Sequence, residues 1–152
     1  MIEVDRPADL VAWVGKEIGV SEWSVIDQKK ITAFAELTGD DHRIHVDVER
    51  ASREMPDGKT IAHGFMTLSL IPFLVRSVYK IRFRGKGLNY GLNRVRYTSP
   101  VQVGSRVRLR QTIKAAEIVE GGVRVTSDCV IEIEGQERPA LVAEFLMLVY
   151  DK

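Results

Sequence analysis

The spacing of apolar residues changes character along the chain. Near the start, Leu10, Val11 and Val14 follow Pro7 at helical spacing, which predicts a short helix capped by Asp5 and ended by Gly15. Trp23 to Ile26 reads as a brief strand. Asp27 then precedes Ile31, Phe34, Ala35 and Leu37, an apolar stripe of helical period that stops at Gly39. From Asp40 to Lys59 the periodicity is lost. This stretch is polar, with Asp47 able to cap a turn through Ala51 and with Pro56-Asp57-Gly58 as a turn. Irregular polar segments of this kind tend to carry function.

From Gly64 to Val75 no residue is charged and apolar side chains cover most of a helical wheel, which predicts a helix near residues 64 to 79 buried on nearly all sides. It is too short to span a membrane and runs into Arg76 and Lys80. Pro72 should kink it or remove one backbone hydrogen bond. After Gly87 the period becomes two, in strands Leu88 to Ser99, Arg106 to Ile118, Val123 to Glu134 and Ala140 to Tyr150. Val107, Leu109 and Ile113 oppose Arg106, Arg108 and Arg110, while Val123, Val125 and Ile131 oppose Arg124, Thr126 and Glu132. Short turn-rich connections between them predict an antiparallel sheet. The last strand is apolar on both faces, which suggests a central position or a subunit contact. A long sheet curled around one buried helix, an α+β fold, satisfies both patterns.

A length of 152 residues fits one domain, residues 1–152, able to bury a core without disulfides. With 45% apolar and 28% charged residues the composition is that of a globular protein rather than a disordered one. The N-terminus carries acids where a leader would need a basic and then apolar run, and no apolar stretch reaches membrane-spanning length, so a cytoplasmic location with no membrane partner is expected. Cys129 falls in the apolar alternation and is expected to pack rather than react.

The net charge of +1 conceals an uneven distribution, because residues 58 to 116 hold twelve Lys and Arg and no Asp or Glu. Two readings follow. Either this region binds anions, or its basic strands lie beside acidic ones and the field cancels. No nucleic-acid-binding motif accompanies the charge, so no nucleic-acid partner is expected.

All three histidines, His42, His45 and His63, fall within 22 residues, alongside Asp40, Asp41 and Asp47. The run Phe34-Ala35-Glu36-Leu37-Thr38-Gly39-Asp40-Asp41-His42-Arg43-Ile44-His45, followed by Ala51, resembles the signature of the MaoC-like (R)-specific enoyl-CoA hydratase/dehydratase family, which includes NodN-like relatives. That pattern is Gly-Asp-x-Asn-Pro-aliphatic-His and then a small residue; here His42-Arg43 stands where the family has Asn-Pro. Ile61-Ala62-His63-Gly64-Phe65-Met66-Thr67-Leu68-Ser69 resembles the histidine-glycine start of the family's central helix, and Asn89 to Tyr97 with Pro100, Val101 and Gly104 is similar to the strand and turn that follow.

The resemblance implies a hot-dog fold and the reversible addition of water to a trans-2-enoyl-CoA to give an (R)-3-hydroxyacyl-CoA, a lyase reaction of fatty acid metabolism. It implies Asp40 and His45 as the catalytic pair, holding one water, and the backbone N–H of Gly64 as oxyanion donor with His63 beside it at the substrate. It implies no metal and no cofactor, the acyl-CoA or acyl-carrier thioester being the substrate, and a homodimer. The chemistry explains the residue types. The 3-carbon of an enoyl thioester is only modestly electrophilic, so water must be positioned and deprotonated, a proton must reach the 2-carbon, and charge on the thioester oxygen must be stabilised.

Plainer alternatives stand beside these. Asp40 after Gly39 is also a turn residue, His45 and His42 are compatible with surface positions, and His63 before a helix can simply bond backbone. Three rival functions share the residues. One is a metal-dependent hydrolase using Asp40, His42, His45 and His63; another is an acyl-CoA thioesterase; the third is a noncatalytic acyl-thioester binding protein.

Overall fold

The computed structural model of the chain describes residues 1–152 and changes from helix-rich to strand-rich at Gly87. In chain order, β1 (Ile2–Val4) leads through a 3₁₀ segment, Pro7–Trp13, to β2 (Glu17–Val20) and β3 (Ser24–Val25). Then come α1 (Gln28–Thr38), α2 (Arg43–Val46), α3 (Val48–Glu54), α4 (Gly64–Ser69) and α5 (Ile71–Val75). The rest is strand: β4 (Tyr79–Ile81), β5 (Gly87–Tyr97), β6 (Arg106–Val119), β7 (Gly122–Ile133) and β8 (Leu141–Tyr150). No helix is long and apolar enough to cross a membrane.

The large sheet runs β2-β6-β7-β8-β5, with β3 also on β6. Its long strands pair antiparallel, as the alternation predicts. Val107, Leu109 and Ile113 of β6, Val123, Val125 and Ile131 of β7, and Leu141 and Val149 of β8 turn inward and are buried. Met66, Ile71 and Leu74 of α4 and α5, and Ile31 of α1, join them in one core of 26 residues. Side chains as fully buried as Leu109 and Ile131 contribute about 1.5–3 kcal/mol each. Cys129 is buried in that core, which pushes its thiol up to about 12 and leaves it an apolar filler.

Four expectations are corrected. The first helix is 3₁₀, and its start is held by Asp9, whose carboxylate accepts the Asp5 and Arg6 N–H groups at 3.1 and 2.8 Å; Asp5 is not its cap. The apolar helix ends at Val75 rather than near residue 79, because the chain turns at Arg76 to enter β4, which pairs in parallel with β1. Pro72, having no N–H, leaves the two short helices α4 and α5 meeting at Leu70. Nor is that helix buried on nearly all sides: Phe65 and Phe73 are 68% and 54% exposed. Finally, β5 does not lie beside the strand that follows it. It crosses to pair with β8, which places the doubly apolar last strand inside the sheet.

The crossing segment positions the loop before α4. Ala62 donates its N–H to Val101 at 2.8 Å, and Val103 donates to Thr60 at 2.9 Å. The outer face of β6 resolves part of the charge question. Arg106 pairs with Glu134 at 2.9 Å, Arg110 bridges Glu132 at 2.8 Å and Glu17 at 2.9 Å, and Arg108 and Lys114 pair with Glu132 and Glu144. Burial by itself would raise the Glu132 carboxyl, but bonds from Arg110 and Arg108 hold it below its usual range. On this strand the basic and acidic rows cancel.

Candidate active site

Helix caps aim the histidine loop. Asp27 accepts the Lys30 N–H at 2.9 Å to start α1, and Gly39, at φ 78°, stops it, so that Asp40 turns away from the helix axis. His42 then caps α2, its Nδ1 accepting the Ile44 N–H at a long 3.4 Å. A side-chain acceptor at this position braces the start of α2. His42 stays exposed. Asp47 caps α3, accepting from Arg50 at 2.9 Å.

Between these caps, His45 is drawn inward until it is 8% exposed. Its Nδ1 lies 2.7 Å from the Ile61 carbonyl, which can only accept, so Nδ1 carries the proton and Nε2 is left with its lone pair. Burial, the largest influence, lowers the imidazole below its ordinary value of 6.5; the Ile61 carbonyl and Asp40 raise it, and His63 and His42 lower it. The outcome is a neutral imidazole with one free basic nitrogen.

His63 is 2% exposed at the start of α4. Its Nε2–H donates to the Asp40 backbone carbonyl at 2.8 Å, so it bonds backbone, and its ring also stacks on His45 with centroids 3.8 Å apart and planes inclined by 24°. Phe34 closes the other side at 4.9 Å. Asp40 is thus pinned through its main chain while its carboxylate stays exposed. Nitrogens of the two rings and a carboxylate oxygen of Asp40 lie within 4.8 Å of one another. Imidazole lone pairs lie in the ring plane, so two stacked rings cannot both aim at one ion, and the cluster is poorly shaped for a metal.

Gly64 joins His45 in lining a cavity of about 290 Å³ with Thr67, Tyr97 and Pro100. A Cβ at Gly64 would stand 3.0 Å from the Tyr97 ring, so glycine is what admits that ring against the start of α4. The Gly64 N–H is among the first of its helix, which have no partner within it. The structure therefore brings together Asp40, His45, His63 and Gly64, and leaves His42 at the rim.

Two contributors escaped the sequence reading. Gln28 donates from Nε2 to the His45 carbonyl at 2.8 Å and accepts on Oε1 from the buried Thr60 hydroxyl at 2.6 Å, clamping the histidine loop to the segment before α4. Tyr97 carried only the weaker resemblance, yet its ring forms a wall of the cavity.

Comparison with known proteins supplies the family. Residues 9–133 match the MaoC like domain. The 3-hydroxyacyl-thioester dehydratase Z of Mycobacterium tuberculosis is 45% identical over 92% of this chain and 93% of its own. Nodulation protein N of Rhizobium leguminosarum bv. viciae is 46% identical over 93% and 89%. In three dimensions the R-hydratase of Pseudomonas aeruginosa superposes with a TM-score of 0.73 at 19% identity, covering 91% of this chain and 83% of that one, which identifies the hot-dog fold. Because the sequence match runs through the histidine loop, the apolar helix and most of the sheet, the likeness goes beyond fold, and the chain belongs to the MaoC-like dehydratase family.

Proposed function

We propose that the protein catalyses the reversible addition of water to a trans-2-enoyl thioester, carried on coenzyme A or a carrier protein, to give the (R)-3-hydroxyacyl thioester. One observation carries the reading: a buried, neutral His45 with a free Nε2 has a ring nitrogen within 4.8 Å of an Asp40 carboxylate oxygen and lines one cavity with Gly64. A water held between the two side chains attacks the 3-carbon while His45 Nε2 takes its proton. Asp40 orients the water and stabilises the imidazolium so formed. The same proton returns to the 2-carbon, on the same face, so the base is restored and water has been added across the double bond. During attack the thioester oxygen gains negative charge and accepts a hydrogen bond donated by the Gly64 N–H. The name of the Mycobacterium tuberculosis relative describes the reverse direction of such a reaction.

A homodimer belongs to the same proposal. Strand β5 has one neighbour, β8, and exposes Leu88, Tyr90 and Leu92 at 45%, 55% and 41%, while Phe65 and Phe73 lie open on the helix. An unpaired apolar edge is a template for a second copy of the same strand.

The test is loss of enoyl absorbance when purified protein meets crotonyl-CoA, with Asp40→Asn as control and free thiol measured in parallel. Asp40-dependent loss without thiol release supports the hydratase. Thiol release would point to a thioesterase instead, and binding without turnover to a noncatalytic acyl-thioester protein.

A further inference from the structure

Of the twelve basic residues between positions 58 and 116, five are tied into ion pairs: Arg82, Arg106, Arg108, Arg110 and Lys114. Three of the others converge. Arg76, Lys80 and Arg84 line one cavity of about 690 Å³ between α5, β4 and the open end of the β5–β8 pair. No carboxylate lines it, and none of the three makes an ion pair, although Arg82 between them is held by Asp5 at 3.1 Å. Glu3, opposite Lys80 in the β1–β4 register, does not come within pairing distance. Unpaired like charges around one hollow give it a positive potential that favours an anion.

A second observation points the same way. Tyr79, only 7% exposed, lines this cavity, and its hydroxyl makes no hydrogen bond within the chain. Unlike the enclosed His63 Nδ1 and Gln111 Oε1, this oxygen keeps access to the hollow and is free to donate to whatever occupies it. Burial pushes this phenol up to about 12, so it remains a neutral donor beside the three cations. Beside Asn89 the remaining wall is largely apolar, with Val75 and Met147 prominent, and the volume falls in the range of small-molecule sites. A free inorganic ion would leave that wall unused. The shape suits a chain that ends in, or carries, an oxyanion.

Position supplies the connection. The two short helices α4 and α5 lead from Gly64, at the cavity beside His45, to Arg76 here, and at about 1.5 Å per residue that separation is roughly 18 Å. A carrier arm or an extended acyl chain reaches across such a distance. We infer that Arg76, Lys80, Arg84 and Tyr79 form an oxyanion site for the charged portion of the thioester substrate, an inference that rests on the proposed hydratase reading. Two sources share this chemistry: a phosphate on the carrier arm, or a carboxylate at the far end of the acyl chain.

Calorimetric titration of the full chain with 4′-phosphopantetheine, octanedioate and octanoate reads the site without turnover. Binding of one of the two charged probes, lost in the Arg76→Gln/Lys80→Gln/Arg84→Gln variant and weakened in Tyr79→Phe, supports the site whether or not hydration is found. If neither charged probe binds, or octanoate binds equally well, the site is overturned even where hydration is intact.

Kinetics then separates the sources. For a phosphate, the triple variant raises KM for crotonyl-CoA roughly tenfold or more, with kcat unchanged and the N-acetylcysteamine thioester unaffected. For a carboxylate, the loss of similar size falls on an enoyl-CoA with a terminal carboxyl group and spares the methyl-ended one. An equal change for every substrate overturns the inference.

Discussion

Strands β6 and β5 read alike in sequence, both long and both rich in arginine, yet the fold treats them differently. β6 has β2 and β3 on one side and β7 on the other, buries Val107, Leu109 and Ile113, and neutralises Arg106, Arg108 and Arg110 with acids of β2, β7 and the β7 end. β5 has a single neighbour and leaves nearly its whole length exposed. The first strand is finished within one chain; the second keeps one edge without a neighbour. The lesson is that charge and apolarity become informative about partners where the fold leaves them unmatched. The proposed catalytic pair belongs with β6 in this respect, since the His45 ring and the Asp40 main chain are each held by a bond within the chain.

The largest expected effect tests that self-sufficiency. Asp40→Asn and His45→Gln should each lower kcat for hydration by roughly 10²- to 10⁴-fold while far-ultraviolet dichroism and sedimentation stay unchanged. If either variant also dissociates or unfolds, the catalytic pair is not independent of the unfinished edge.

Next, Leu92→Asp on β5 should weaken self-association by about a hundredfold or more, seen as monomer in sedimentation at micromolar concentration. A variant that remains dimeric would mean that β5 is not the contact. By contrast, Glu132→Gln on β7, which unpairs Arg108 and leaves Arg110 only Glu17, should not change self-association and should lower stability by only about 1 kcal/mol, since those groups remain partly exposed.

Within the finished sheet a smaller core test is available. Gln111, 1% exposed, donates to the Ser127 hydroxyl at 2.9 Å, and its Oε1 has no partner. Ser127→Ala should destabilise by about 1–3 kcal/mol in chemical denaturation, and adding Gln111→Leu should recover most of the loss.

The pH profile sharpens the contrast last. Because burial holds His45 below 6.5, the acid limb of kcat/KM should lie below that value, rate being lost as pH falls through the folded imidazole's pKa. Stability follows the same sign. The unfolded imidazole takes its proton near 6.5 and the folded one only at lower pH, so stability declines as pH drops through that interval. An acid limb above 6.5 would contradict His45 as the base.

What was legible in the sequence follows from the range of the forces involved. Asp27 as a cap, Gly39 as a stop and the inward rows of β6 and β7 depend on neighbours a few residues away, and each appears as expected. The Asp40 to His45 spacing was visible for the same reason. Gln28 was not, because its bonds to Thr60 and to the His45 carbonyl join residues far apart in sequence and leave no periodic trace. The exchange of partners that sets β5 against β8 was invisible too, since alternation tells which face is buried and not which strand lies alongside. Strands β1 and β4, three residues each, are too short to show a period.

The partner exchange also bears on how the molecule is made. β5 leaves the ribosome before β6 and β7, yet its register joins Tyr97 to Leu141 and Gly87 to Val149. For the whole time that β6 and β7 take to be synthesised, β5 has no strand of its own chain to pair with, and Tyr97, a wall of the cavity beside His45, has no fixed place. The cavity is therefore completed late in synthesis, and chaperone dependence should concentrate on nascent chains that end between β5 and β8.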